Sequence, residues 1–458
     1  MATFAAIVFG SAGIGASVRA QHAAPPHEAV RPRLAATDTG VRARGLDSAL
    51  AMATFDSAWR TVGSSLASRG VTRFDWPAVR RELLPRAARA KSDSALRAVI
   101  DDMLRRLGES HFAIMPPPPG ASSGPVARSE DAALGTAGVV TRLIAGRLVV
   151  WRVDSAGAAA RHGVRPGWTV ERIDGYTHPT LGAADTVGPR HLAALTGPLA
   201  ALRGAPGSTV RLVARDERGQ LHDVSFERDT LRGPFARFGN LPPLPASVDF
   251  TRRALSDGSC VGVIRFEYWM PPVMPALDRA VDASRACAGI VLDLRGNLGG
   301  VAAMMMGAAG HFLTEPKTLG TMRTRGDEMR FAANPRRSTE AGVAVEPFSG
   351  SLAILVDGLS ASTSEMFAAG LQSLGRARLF GDRSAGQALP AMATRLPSGD
   401  VLMHVVADFV AADGTRIEGV GVKPDELIPL TDADLLAGRD APMEAALAWI
   451  KRARLAAP

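Results

Sequence analysis

The spacing of apolar residues changes twice along this chain, and each change marks a different kind of unit. From Leu46 to Leu107 the spacing is helical: Phe55, Trp59, Val62 and Leu66 fall one, two and three turns apart on one face. Asp75-Trp-Pro-Ala places a capping carboxylate just before a proline at an early helical position, and Ser92-Asp-Ser-Ala opens a further helix through Leu96 to Leu104. This unit ends at Gly108-Glu-Ser-His-Phe-Ala-Ile-Met115, and Pro116 to Pro125 reads as a linker. From about 135 to 231 short strands replace helices: Leu148-Val-Val-Trp-Arg-Val153, then Trp168 to Gly175, then Thr209 onward to Phe226. From 233 to 456 the two periods alternate. Strands are expected at 261–266, 290–294, 352–356, 379–381 and 401–406, with helices at 275–286, 301–312, 364–374 and 441–454, an α/β layer pattern.

Composition narrows the function classes. With 46% hydrophobic and 21% charged residues the chain can bury ordinary cores. Its formal charge of +8 comes almost wholly from arginine, since the lysines are Lys91, Lys317, Lys423 and Lys451. The arginines are interleaved with acids and alanines rather than gathered into a stripe beside stacking aromatics, so no nucleic-acid partner is expected. Phe4-Ala-Ala-Ile-Val-Phe9 followed by Val18-Arg-Ala20 fits a signal peptide over 1–20, although Met1-Ala-Thr lacks a basic residue. The expectation is export to the periplasm or medium, with 21–44 a linker and no transmembrane span, because no other apolar run reaches about 18 residues. Cys260 and Cys287 each head a strand; a disulfide and a pair of buried thiols are equally compatible with that placement. Neither has metal-ligand spacing, no phosphate loop occurs, and no cofactor is expected.

Two segments carry candidate chemistry. Gly289-Ile-Val-Leu-Asp293 is a buried strand that breaks into Leu294-Arg-Gly-Asn-Leu-Gly-Gly300, and Ser360-Ala-Ser-Thr-Ser-Glu365 is a small-residue turn into a helix. A nucleophilic serine requires such a turn, with backbone N–H groups nearby to hold an oxyanion. Any of the three serines could instead cap the helix. A base is also required. No lysine follows the serine cluster until Lys423, and the turn Ser384-Ala-Gly-Gln-Ala-Leu389 carries Gln387. Among the histidines, His162, His178, His191 and His222 lie in the β-rich stretch, His311 and His404 sit in packing positions, and His111 follows Ser110 just after the helical unit.

The stretch 134–232 resembles a PDZ domain of the bacterial protease type, on its small-residue helix running into Gly163-Val-Arg-Pro-Gly167, the hairpin Ile173-Asp-Gly175 and the turn Arg203-Gly-Ala-Pro-Gly207. The whole chain after residue 45 resembles the S41 peptidases. The marks are Leu107-Gly-Glu-Ser-His111, Asp293 to Gly300, Leu359 to Glu365, Gly375-Arg-Ala-Arg-Leu-Phe-Gly381 and Ile417-Glu-Gly-Val-Gly-Val-Lys-Pro-Asp425. The resemblance implies a multidomain α/β protein: an N-terminal helical cap at 45–115, a linker at 116–133, the PDZ-like β domain, and a ClpP/crotonase-like α/β catalytic core at 233–456. One branch of the family uses a Ser–Lys dyad with its lysine where this chain has Gln387. The tricorn-like branch uses a Ser–His–Ser–Glu tetrad, which maps onto Ser362 as nucleophile, with Ser364 its rival, His111 as base, Ser110 and Glu418. The oxyanion would fall to N–H groups of Gly299 or Gly300 and of Thr363. The implied activity is cleavage of unfolded or tail-exposed polypeptides, the carboxyl-terminal tail entering the PDZ-like groove. A catalytically weak peptide- or ligand-binding protein on the same scaffold is the alternative.

Overall fold

The computed structural model describes residues 46–116, 134–176, 178–179, 181, 187–236 and 243–455. The signal-peptide and first-linker expectations, and all but the first residue of the second linker, lie outside these residues.

Three helices form the N-terminal unit: α1 (Ser48–Arg69), α2 (Trp76–Ala88) and α3 (Asp93–Arg105). Asp47, Asp75 and Ser92 each accept a backbone N–H at the helix start, the capping that the sequence pattern implies. Phe55, Val62 and Leu66 are buried against Leu83, Leu96 and Ile100, so the helical stripe is the core of this unit.

The middle unit is a five-stranded antiparallel sheet with strands in the order Val139–Ile144, Arg147–Val153, Thr169–Ile173, Thr209–Arg215, Leu221–Glu227. It carries a short α4 (Ala158–Arg161) and the longer α5 (Pro189–Ala201).

The third unit is built on a six-stranded sheet. Its order is Val248–Ala254, Cys260–Phe266, Gly289–Asp293, Ser351–Val356, Arg378–Gly381, Glu426–Leu427, parallel except for the first strand. Helices α6 (Met274–Ala283), α7 (Met304–Gly310) and α8 (Thr363–Ser373) contribute to the main core with Ile264, Leu292 and Ile354, while α10 (Ala441–Leu455) covers the opposite face at Val291 and Leu355. A short α9 (Asp432–Leu436) precedes α10. The near-continuous apolar run Gly289–Asp293 is buried at every position, as a parallel strand covered on both sides must be. Cys260 and Cys287 form a disulfide, which closes a 27-residue separation and decides between the two readings of these cysteines.

The apolar pattern of the sequence did not reveal two three-stranded sheets. One joins Lys317–Arg323 to Glu328–Ala333 and Asp408–Ala411. The other pairs Ala113–Met115 with Val401–Val405, which pairs in turn with Ala391–Arg395. The second has a functional consequence, because it stitches the end of the helical unit into the third unit and thereby delivers His111.

Candidate active site

Ligands of open α/β sheets bind beyond the carboxyl ends of the parallel strands. Here three such ends converge: the loop 294–300 after Gly289–Asp293, the turn 357–362 after Ser351–Val356, and the segment 382–389 after Arg378–Gly381.

The turn before α8 places Ser362 at φ 56°, ψ −119°, a backbone region that a side chain makes costly. The conformation is held from two sides, since the Ser362 N–H lies 2.8 Å from Gln387 O and 3.0 Å from Glu365 Oε2. The three serines of the cluster then separate by their partners. Ser360 Oγ donates to Leu294 O at 2.8 Å and accepts from Asp357 N. Ser364 Oγ donates to Asn297 O at 3.1 Å and accepts from Trp269 Nε1 at 2.9 Å. Ser362 Oγ is buried and has no partner. Two hydroxyls are fixed in structural bonds and one is left for chemistry, and it is the one on the strained turn.

His111 is also at positive φ, 61°, between α3 and the strand Ala113–Met115. Behind it, Glu109 is clamped by Arg69 and Arg73, each at 2.8 Å. Ser110 Oγ lies 2.9 Å from Glu418 Oε2 and 2.5 Å from His111 Nδ1. A serine hydroxyl has one proton, and an ionised carboxylate only accepts. The serine therefore donates to Glu418, and His111 Nδ1–H donates to the serine. That leaves the lone pair on Nε2, which has no partner. Burial pushes the His111 pKa down to about 3, so the ring is neutral and its Nε2 is free to take a proton. Burial also pushes the Glu418 carboxyl upward, against the pull of N–H donors from Ser110 (3.0 Å) and Ala388 (2.9 Å).

One peptide link joins these halves. Gln387 O accepts from the Ser362 N–H, and the next residue, Ala388, donates its N–H to Glu418. The same segment is anchored by Glu365, whose carboxylate accepts from Ser384 Oγ (2.5 Å), Gly386 N (2.7 Å) and Gln387 N (2.8 Å). Glu365 is wholly buried, which raises its pKa to about 7 despite these donors.

Gly299 abuts Ser362: a Cβ there would stand 2.7 Å from Ser362 Cβ. Its N–H already donates to Asn297 Oδ1 at 3.0 Å. Among the described residues the N–H groups of Gly300 and Thr363 have no acceptor, so of the expected oxyanion donors these two remain available. Gly300 is itself fixed by Trp269, whose carbonyl would lie 2.3 Å from any Cβ at this position. Asp293 and Arg295 form a buried ion pair at 2.8 Å that fixes the start of the glycine-rich loop.

Sequence reasoning missed Glu365 and Asn297 as parts of the site, and treated Gln387 only as a missing lysine. The signal for Glu365 was its place three residues after the nucleophile, where the first turn of a helix points a carboxylate back at the turn's N–H groups. Asn297 had no comparable signal.

A strained serine turn, a histidine relayed through a serine to a buried glutamate, and paired free N–H groups define a serine hydrolase centre on an α/β scaffold. The comparisons agree with this class. Residues 260–428 match peptidase family S41. A carboxyl-terminal-processing protease of Picosynechococcus sp. is 24% identical over 375 residues, covering 81% of this chain and 82% of that protein. The carboxy-terminal processing protease CtpA of Bacillus subtilis is 23% identical over 292 residues, 63% of this chain and 54% of that protein. The solved photosystem II D1 C-terminal processing protease shares the fold with a TM-score of 0.56 at 20% identity, covering 83% of this chain and 93% of its own. Mature CPAF does so at 0.56 and 13% identity, covering 89% and 96%. The protein is a serine peptidase whose residues 260–428 match peptidase family S41.

Proposed function

We propose that this protein is an exported endopeptidase that cleaves polypeptides presented by their carboxyl-terminal tails. Ser362 is the nucleophile, His111 the base, and Ser110 and Glu418 the relay behind it. The observation that carries the assignment is the Gln387–Ala388 link, which bonds the nucleophile's N–H on one side and the relay carboxylate on the other.

In the reaction His111 Nε2 takes the Ser362 hydroxyl proton as Oγ bonds to the scissile carbonyl carbon. The carbonyl π pair moves to oxygen, where the Gly300 and Thr363 N–H groups receive it. As the intermediate collapses the C–N bond breaks, and the Nε2 proton goes to the departing amine. Water then repeats the sequence on the acyl-enzyme, with His111 again as base. Ser110 and Glu418 hold Nδ1–H so that the ring keeps the required tautomer.

The middle unit serves as the PDZ-like tail receptor. Among the described residues strand Val139–Ile144 pairs with Arg147–Val153 alone, which leaves its other edge for an added strand. Leu143 on that strand and Leu192, Leu195 and Leu199 of α5 pack into one buried cluster with Leu359, Ala361 and Ala385, so the receptor unit docks directly on the turn that carries Ser362. The disulfide fits an oxidising compartment and hence export. No helix among the described residues is long and apolar enough to cross a membrane. Labelling by a fluorophosphonate, together with cleavage of a peptide with a free apolar carboxyl terminus, tests the assignment. Both are expected to vanish in Ser362→Ala and His111→Ala. Retained cleavage in either folded variant would reject it.

A further inference from the structure

Three polar atoms of the site are buried without a partner: Ser362 Oγ, His111 Nε2 and Gln387 Nε2. The first two are the nucleophile and the base; they are a donor and an acceptor that no hydrogen bond joins here, and the proton transfer of the mechanism brings them together. The mechanism gives no reason for the third. A buried primary amide nitrogen without an acceptor has lost its hydration with nothing in return. Gln387 is 1% exposed, so solvent does not make up that loss. The residue is not loosely held either. Its N–H is fixed to Glu365 Oε2 and its carbonyl to the Ser362 N–H, both at 2.8 Å. The backbone is thus locked against the nucleophile while the donor end of the side chain is left unsatisfied.

We propose that Gln387 is a further catalytic residue, whose carboxamide Nε2–H donates to the carbonyl oxygen of the scissile peptide bond. This rests on the serine-peptidase reading above. Among the described residues neither Ser362 Oγ nor any other atom serves as acceptor, which leaves that part to a group the substrate brings. A peptide carbonyl is the group that every substrate brings to that point. The amide has no basic nitrogen and cannot take the serine proton. It can stabilise charge on the carbonyl oxygen beside the Gly300 and Thr363 N–H groups. The division of labour is then clean: His111 moves protons, and Gln387 holds developing negative charge. The same hydrogen bond is made in the second half-reaction, when water attacks the acyl carbonyl.

Steady-state kinetics on the full chain with a peptide substrate tests this. Gln387→Met keeps length and volume and removes the donor, and kcat should fall about 10- to 100-fold with KM changed less than threefold. Gln387→Glu, which keeps the shape but loses both N–H donors, should be at least as slow. Gln387→Lys restores a donor and should recover part of the loss. The acid limb of the kcat profile should be the same in wild type and Gln387→Met, because the titrating base is untouched. Should Gln387→Met fold poorly, the glutamate variant carries the same test. Met or Glu variants that are folded and turn over within twofold of wild type would overturn the proposal, as would losses confined to KM. Activity that survives in Ser362→Ala or His111→Ala would instead sink the underlying mechanism, so the two failures are distinguishable.

Discussion

Two buried polar networks lie a few residues apart along the same loop, and they are built on opposite rules. In the arginine junction around Trp151, the guanidiniums of Arg142, Arg265 and Arg295 lie 4.0, 5.0 and 5.2 Å from the indole. There most of the charge is answered, although one nitrogen of Arg142 keeps no partner among the described residues. Arg295 bonds Asp293 through Nε (2.8 Å) and Nη2 (2.9 Å), and Asp440 through Nη1 (2.7 Å) and Nη2 (2.8 Å). These arginines hold the Asp293 carboxyl far below the usual carboxylate range although burial opposes it. In the Ser362 network burial is not answered by countercharge. Both carboxyls are pushed up, the histidine is pushed down, and three polar atoms lack partners. Space is distributed inversely. A cleft of about 390 Å3 opens beside the arginines, whereas Ser362 is fully buried. Paired ions cement units together; unpaired neutral groups at a strained turn are kept for a substrate. A cleft alone would have pointed to the wrong network.

The contrast breaks most sharply in activity. Ser362→Ala or His111→Ala should cut turnover by roughly 10⁴–10⁶-fold while leaving the urea midpoint near wild type. Arg295→Met should do the reverse. Removing one member of a buried pair leaves Asp293 to Arg265 alone at 3.1 Å, and should cost about 3–5 kcal/mol in urea unfolding. Fluorophosphonate labelling of the fraction that remains folded should change little. An Arg295→Met protein of wild-type stability would show that the junction does not hold the units together.

What the sequence revealed follows the same divide. Strand Gly289–Asp293 and α8 were legible because a doubly covered strand and a helix beginning at a serine turn leave local patterns. Ser110, His111, Ser362 and Glu418 were singled out only through motifs met in family order; the geometry brings Ser110, His111 and Glu418 into contact and leaves Ser362 Oγ without a hydrogen bond to them. Glu365, Asn297 and the donor end of Gln387 were not legible. Glu365 left one local trace, its place three residues after Ser362, but its other bonds and that of Asn297 Nδ2 span 19 or more residues of chain, the bond of Gln387 is missing, and none of these alters local periodicity. The pairing of Ala113–Met115 with Val401–Val405 was hidden for the same reason.

The titrations sharpen the comparison further, because the site's groups oppose one another. The folded protein keeps His111 neutral to about pH 3, whereas the unfolded chain binds a proton near 6.5; that contribution to stability is present above 6.5 and is lost as pH falls. Glu365 has the other sign. Its pKa rises from 4.5 to about 7, so its contribution is present below 4.5 and is lost as pH rises through 7. Glu418 pulls the same way as Glu365. Between pH 4.5 and 6.5 wild-type stability should therefore be shallow. Glu365→Gln should expose a slope rising with pH, and His111→Gln a slope falling with pH, each on the order of 2 kcal/mol across the window. Parallel slopes in the two variants would mean that neither group is desolvated as described. The arginine junction adds nothing in this window, because Asp293 titrates below it.

The smallest effect is expected where the two networks touch. Asp357 accepts from Arg142 Nε at 2.6 Å on one oxygen, and on the other from Gly296 N (2.9 Å) and Leu359 N (3.0 Å). One carboxylate thus ties the middle unit to the loop before Gly300 and to the turn before Ser362. Arg142 is an uneasy anchor, since burial and the neighbouring Arg265 and Arg295 disfavour its charge, and its Nη2 has no partner. Arg142→Met removes a charge that is expensive to bury and leaves Asp357 with its two N–H donors, so stability should move by only about 1 kcal/mol. The loops keep their mutual bond and lose only the brace from outside. Labelling of Ser362 should slow by about two- to fivefold, which corresponds to less than 1 kcal/mol. Asp357→Asn should slow it more, because the amide offers a single oxygen where the carboxylate offers two. If the arginine variant proves the slower of the two, the loops are set by the middle unit through its charge rather than by their own hydrogen bonds.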